Sequence, residues 1–97
     1  MGSYKLSQGA QEDLDYLYED GILRYGLKQA DHYYDGLIDR FHFLADNPQI
    51  GYNSFDLAPN LQRFPYERHM IFFMSTDTGI LIVRVLGDEM DFKRHLT

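Results

Sequence analysis

Ninety-seven residues, 44% hydrophobic and 15% aromatic, make one domain (residues 1–97) whose core must rest on eight tyrosines and seven phenylalanines, since tryptophan is absent. Cysteine is absent too, which excludes disulfides, thiolate metal sites and a cysteine nucleophile. A net charge of −6 lacks the basic footprint that phosphate contacts demand, so no direct nucleic-acid partner is expected.

The charge is unevenly spread. Residues 1–60 hold four basic residues (Lys5, Arg24, Lys28, Arg40) against ten acidic ones, whereas residues 61–97 balance five against five. No run of about 18 apolar residues occurs, so no membrane span is expected. The opening Met-Gly-Ser-Tyr-Lys-Leu has no apolar signal core, and Leu6 stands where a myristoylation motif needs Ser or Thr. The chain is expected to be cytoplasmic.

Tyr4-Lys5-Leu6 predicts a short strand. Ser7 then suits an N-cap, with Glu12 and Asp13 placed early, where the helix dipole favours negative charge. Ala10, Leu14, Leu17, Tyr18, Gly21 and Tyr25 recur at helical spacing on one face, with Gly21 positioned for close approach of a second helix. Gly26 is the expected C-cap. A second helix over about residues 28–46 carries Ala30, Tyr34, Leu37, Ile38, Phe41, Leu44 and Ala45 as its apolar stripe, and Asn47-Pro48 ends it. Two such helices joined through one glycine form an antiparallel hairpin that needs a sheet to cover.

Residues 47–60 are rich in Pro, Gly and Asn and predict a loop. Three strand candidates follow: Leu61 to Pro65, the wholly apolar Met70 to Met74, and Ile80 to Leu86. Asp77-Thr78-Gly79 has the turn chemistry to join the last two as a hairpin. Asp88 to Leu96 predicts a short terminal helix. The order is β-α-α-β-β-β with a C-terminal segment. This is an α+β fold, with the helical hairpin on one face of a mainly antiparallel sheet.

Four local patterns in this order resemble the RelE/ParE toxins, and specifically ParE. They are Tyr4-Lys5-Leu6-Ser7 leading to Ala10 and Asp13-Leu14; Leu44-Ala45-Asp46-Asn47-Pro48 with Gly51; Arg63-Phe64-Pro65 followed by Arg68-His69-Met70-Ile71-Phe72-Phe73; and Val83-Arg84-Val85-Leu86 followed by Met90-Asp91 and Arg94-His95-Leu96. The resemblance extends over nearly the whole chain. It implies a toxin of a type II toxin–antitoxin system that inhibits DNA gyrase by protein–protein binding. It also implies a ParD-type antitoxin as partner, in a hetero-oligomer, with no cofactor and no catalysis. The alternative within the superfamily is a RelE-type ribonuclease that cuts messenger RNA on the ribosome; a third is a non-toxic binding module of the same fold.

Arg84 is the most informative site residue. Strand alternation assigns Leu81, Val83 and Val85 to the helix side and Ile80, Ile82, Arg84 and Leu86 to the opposite face. On that assignment Arg84 either anchors an antitoxin carboxylate, bidentate geometry being its strength, or pairs internally with Asp91 or Glu89. The antitoxin is expected to contact Arg63, Arg68, His69, Ile82 and Arg84, along the groove beside the helical hairpin. Met90, Lys93, Arg94 and His95 are the candidate target-facing residues. A nuclease would need His69 as base with Arg68 or Arg84 as phosphate clamp. Yet the segment from Asp88 to Leu96 has no tyrosine, and its basic residues are offset by Asp88, Glu89 and Asp91. His32, Asp35, Asp39 and His42 lie opposite the apolar stripe and read as a solvated face, not a metal site; Glu12, Asp13 and Asp15 read as helix-start acids.

Overall fold

A computed structural model describes residues 2–96. Strand β1 (Ser3–Leu6) leads into helix α1 (Gln8–Tyr25), and α2 (Leu27–Asp46) returns antiparallel to it. A 3₁₀ turn at Pro48–Ile50 and a two-residue strand β2 (Tyr52–Asn53) follow. Then come β3 (Gln62–Tyr66), β4 (His69–Ser75), β5 (Gly79–Gly87) and the short α3 (Phe92–Leu96). The five strands form one sheet in the order β1-β5-β4-β3-β2, antiparallel except for the parallel β1–β5 pair.

The helix ends follow from local chemistry. The Ser7 hydroxyl accepts from the Ala10 amide at 3.0 Å, as an N-cap side chain does, and it also donates to the Val83 carbonyl at 2.6 Å. One residue thus starts α1 and ties it to β5. Gly26, with φ +91, lets the chain reverse between the helices, and its amide closes α1 on the Ile22 carbonyl at 2.9 Å.

The helix side of the sheet holds the main core. Ala10 and Leu14 of α1 and Leu37, Phe41, Leu44 and Ala45 of α2 pack on Ile71, Phe73, Ile80, Ile82 and Val85. The expected α2 stripe is the buried face, with Tyr34 and Ile38 half-buried beside it. A second core lies on the opposite face, where Leu61, Phe72 and Leu86 are covered by Leu57, Ala58, Phe92 and Leu96. Phe92 stands edge-on to Phe72, ring centroids 5.0 Å apart.

Strict alternation along β5 is broken, and the face assignment from sequence is corrected accordingly. Phe73 pairs with Ile82 but Phe72 pairs with Arg84, so Val83 is an extra residue, a β-bulge. Before the bulge Ile80 and Ile82 face the helices; after it Val85 does. Val83 and Leu86 face the other way. The assignment from sequence therefore holds for Val85 and Leu86 and is reversed for Ile80, Ile82 and Val83, because one inserted residue shifts a period of two.

Pro65 sits in β3 where β2, paired only at Gln62 and Arg63, no longer runs alongside. A residue without an amide hydrogen costs the ladder nothing there. Gly79 shows the opposite constraint. A Cβ at this position would come within 1.8 Å of the Ser3 carbonyl oxygen and 2.6 Å of the Ser3 nitrogen, both backbone atoms of β1. Gly79→Ala is expected to push β1 from the sheet edge and lower stability by about 1–3 kcal/mol, the usual cost of overpacking. Chemical denaturation of both forms measures it, and a change below about 0.5 kcal/mol would show that β1 adjusts freely.

Candidate functional site

Beyond Ile82 the edge of β5 has no neighbouring strand, because β1 ends at Leu6. Arg84 sits on this open edge, and it turns around the edge onto α1. Its Nε donates to Asp13 Oδ2 at 2.7 Å and one terminal nitrogen to Asp13 Oδ1 at 2.8 Å, a fork-on-fork pair. Asp13 Oδ2 also accepts from the Val85 amide at 2.9 Å. The other guanidinium nitrogen donates to the His95 carbonyl at 3.0 Å, on α3. Asp13 holds the Arg84 pKa above its ordinary value, chiefly through this hydrogen bond. The internal partner is thus Asp13, neither Asp91 nor Glu89, and one ion pair joins α1, β5 and α3. Gly9 makes room for it: a Cβ there would lie 2.9 Å from Arg84 Cδ.

Next to this clamp a groove of about 810 Å³ runs between α1 and the ends of β4 and β5. Its α1 wall is Asp13, Tyr16, Leu17, Asp20, Gly21 and Arg24, one face at helical spacing. Ala30 and Tyr33 of α2 and Val85 of β5 supply apolar floor. Glu67, Arg68 and His69 line the β3–β4 end, and Asp88, Glu89 and Met90 close the β5 end. The Asp88 amide donates to the Arg68 carbonyl at 2.9 Å, which joins these two turns into one wall.

At the groove floor, Tyr33 Oη lies 2.7 Å from His69 Nδ1 and 3.4 Å from the Tyr66 carbonyl. The shorter contact is the stronger bond, and which partner donates in it follows from the His69 tautomer. Burial raises the Tyr33 hydroxyl to about 12 and lowers His69 from its ordinary 6.5, while Asp88 and Asp13 pull His69 the other way. For stability, His69 stays neutral in the folded chain at a pH where the unfolded chain already binds a proton. Folding stability is therefore complete above pH 6.5 and falls as pH drops below it, levelling off once folded His69 is protonated. Denaturation midpoints between pH 7.5 and 5 should show this slope, and His69→Gln should flatten it; an equal slope in both proteins would assign it to other groups.

The expected site residues separate into distinct neighbourhoods. Arg68, His69 and Met90 line the groove. Arg84 and His95 meet at the clamp, one through its side chain and the other through its carbonyl. Arg63 lies on the far side of the sheet, paired in register with Phe72, and donates to the buried Ser54 hydroxyl at 3.2 Å. Ile82 is fully buried under the helices, so the open-face position expected for it is corrected. Lys93 and Arg94 are exposed on α3, while Phe92 and Leu96 of the same helix cover the second core. His32, Asp35, Asp39 and His42 are exposed along α2.

The sequence reads Asp13 as a helix-start acid, where the structure makes it the partner of Arg84 and Val85, and it singles out no role for Tyr33. The helical period does set Asp13, Leu17, Asp20 and Arg24 on one flank of α1. What it lacks is the bulge at Val83, which carries Arg84 to that flank.

The family model for "ParE toxin of type II toxin-antitoxin system, parDE" matches residues 4–92. Toxin ParE1 of Mycobacterium tuberculosis is 32% identical over 94 residues, 96% of each chain. Toxin ParE1 of Caulobacter vibrioides is 29% identical over 96 residues, 99% of each chain. A chain from the chromosomal ParDE toxin–antitoxin system of P. aeruginosa shares the fold with a TM-score of 0.76 at 22% identity, covering 90% of this chain and 96% of that one. With the family model spanning the main core, the Asp13–Arg84 pair and every residue that lines the groove, this chain belongs to the ParE toxins of type II toxin–antitoxin systems.

Proposed function

We propose that this ParE-family toxin acts by binding, inhibiting DNA gyrase through protein–protein contact, and that a ParD-type antitoxin silences it by occupying the groove. It works in the cytoplasm, without a cofactor and without catalysis. The groove is the observation that carries the reading. It is open and walled by aromatic and aliphatic side chains beside charged ones, the form in which an amphipathic segment is recognised.

The parts of a nuclease are present but committed elsewhere. Arg84, the strongest clamp candidate, is held by Asp13 and the His95 carbonyl. His69 is engaged with Tyr33. The groove also carries more acidic than basic residues, which opposes binding of messenger RNA.

Within this reading Arg68 and His69 meet the antitoxin in the groove. Arg84 contributes through the open edge of β5, and Arg63 through the far face. Ile82 contributes by supporting that edge from beneath. Met90, Lys93, Arg94 and His95, on the C-terminal segment, face gyrase. Arg84→Ala should weaken antitoxin binding about tenfold or more, since a lost charged hydrogen bond costs about 1.5–3 kcal/mol. A dissociation constant unchanged by titration calorimetry would remove Arg84 from the interface.

The deciding experiment is a supercoiling assay with purified gyrase and this protein, with a translation reaction beside it. The reading expects inhibited supercoiling, intact translation and relief by the antitoxin. Cleaved message with intact supercoiling would replace it with the ribonuclease reading and make His69, Arg68 and Arg84 the catalytic candidates. If neither assay responds, the chain is a binding module without toxicity.

A further inference from the structure

Beyond the identity of the partner, the groove restricts its chemistry. Five acidic side chains line it (Asp13, Asp20, Glu67, Asp88 and Glu89) against the two arginines Arg24 and Arg68. Two of the acids are already answered. Asp13 is paired with Arg84 at 2.7 Å, and Asp20 with Arg24 at 2.9 Å. What remains is one-sided: Glu67, Asp88 and Glu89 on the two joined turns, with Arg68 between them. All four are exposed, so their charge is available to an incoming ligand.

Their field reaches the groove floor. Glu67 and Asp88 both raise the Tyr33 pKa, and Asp88 and Asp13 both act on His69. Opposite this acidic wall, α1 presents Tyr16 and Leu17, with Tyr25 at its end. Tyr16 and Tyr25 are 70% and 65% exposed, large apolar rings with nothing over them among the described residues. The α1 wall from Asp13 to Arg24 is roughly 16 Å long at 1.5 Å per residue, the length of three helical turns.

We propose that the groove takes an amphipathic helix of about three turns whose polar flank is basic. This rests on the reading of the groove as the seat of the antitoxin, and it assigns that antitoxin's toxin-binding segment a Lys- and Arg-bearing face. The apolar stripe of the helix, at i, i+3, i+4 and i+7, lies on Tyr16, Leu17 and Tyr25. Its basic residues lie against Glu67, Asp88 and Glu89. The charge of the pair follows from the toxin: an acidic toxin with an acidic groove repels an acidic segment, because like charges brought together at an interface oppose binding. Specificity follows as well, since an antitoxin segment with an acidic flank is rejected by the same wall.

Two fluorescein-labelled synthetic helical peptides of about 18 residues provide the probe. They share one Leu and Ile stripe, and one carries lysines on its polar flank where the other carries glutamates. Binding to the full-length chain is read by anisotropy at 50 mM and 300 mM salt, with the triple variant Glu67→Lys, Asp88→Lys, Glu89→Lys beside it. These three residues are exposed, so the variant is expected to fold, and its denaturation midpoint verifies this.

The proposal expects the basic peptide to bind at least tenfold tighter than the acidic one at low salt. It further expects that preference to shrink at high salt and to invert in the triple variant. Tyr16→Ala should weaken both peptides. Equal binding, preference for the acidic peptide, or no binding of either overturns it, as does a triple variant with unchanged preference. The assay contains no gyrase, so failure of gyrase inhibition and failure of the charge rule are read separately.

Discussion

Asp13→Ala will destabilise the free chain by about 2–4 kcal/mol, more than Arg84→Ala does. The asymmetry follows from the hydrogen bonds. Asp13 accepts three, two from Arg84 and one from the Val85 amide. Its side chain is 13% exposed and that of Arg84 is 25% exposed, so water replaces little of what is lost. Removing Asp13 leaves a half-buried guanidinium and the amide of the buried Val85 without their acceptor. Breaking a fully buried pair costs about 3–5 kcal/mol, and partial exposure of Arg84 moves the figure to the lower end. Removing Arg84 leaves the Asp13 carboxylate still bonded to the Val85 amide, so no backbone group is orphaned. Urea denaturation of the two single variants and the double variant supplies a cycle. A cost below about 1 kcal/mol for Asp13→Ala, or coupling near zero, would mean that α1 is held to the sheet by its apolar face alone.

That clamp also marks the limit of what the sequence makes legible. Both helices and the three long strands follow from periodicity, because Leu14, Leu37, Phe41 and Leu44, and the run Ile71, Phe72, Phe73, lie in elements long enough to show a period. The Ser7 N-cap and the Gly26 reversal follow from residue type. β2 does not, since Tyr52–Asn53 is two residues long and pairs only because β3 passes beside it. The parallel placement of β1 beside β5 is equally silent, being a contact between residues 3–6 and 79–82. The larger error is in the site. Arg84 is conspicuous as a charge in an apolar strand, and its importance is readable. Its internal partner is not, because alternation offers Asp91 or Glu89 for that role, while the bulge at Val83 and the missing neighbour beyond Leu6 swing it onto Asp13 of α1.

The bulge explains why Ile82 and Arg84, expected side by side, do different work. Ile82 belongs to the core between helices and sheet. Arg84 opens the edge where α1, β5 and α3 converge. A single inserted residue thus separates a packing position from an interaction position in the space of two residues, as bulges beside functional sites commonly do.

Phe72→Ala will cost about 3–5 kcal/mol and will also loosen the C-terminal segment. Phe72 is fully buried in the second core, on the face away from the helical hairpin. Its neighbours there are Leu61 and Leu86, with Phe92 of α3 edge-on at 5.0 Å. A phenylalanine lost from such a place removes its transfer free energy and leaves a cavity that the sheet cannot collapse to fill. α3 has only five residues, too few to hold a helix alone, so its position depends on Phe92 and Leu96 and on the Arg84 bond to His95. Phe92→Ala should therefore cost less, because Phe92 is only partly buried, yet release the same segment. Limited trypsin digestion after Lys93 and Arg94 would accelerate in both variants, while only Phe72→Ala shifts the denaturation midpoint strongly. The comparison reaches function: if Met90 to His95 face gyrase, Phe92→Ala will lose supercoiling inhibition with the main core intact. Retained inhibition with a loosened segment would place the gyrase contact on the helical hairpin instead.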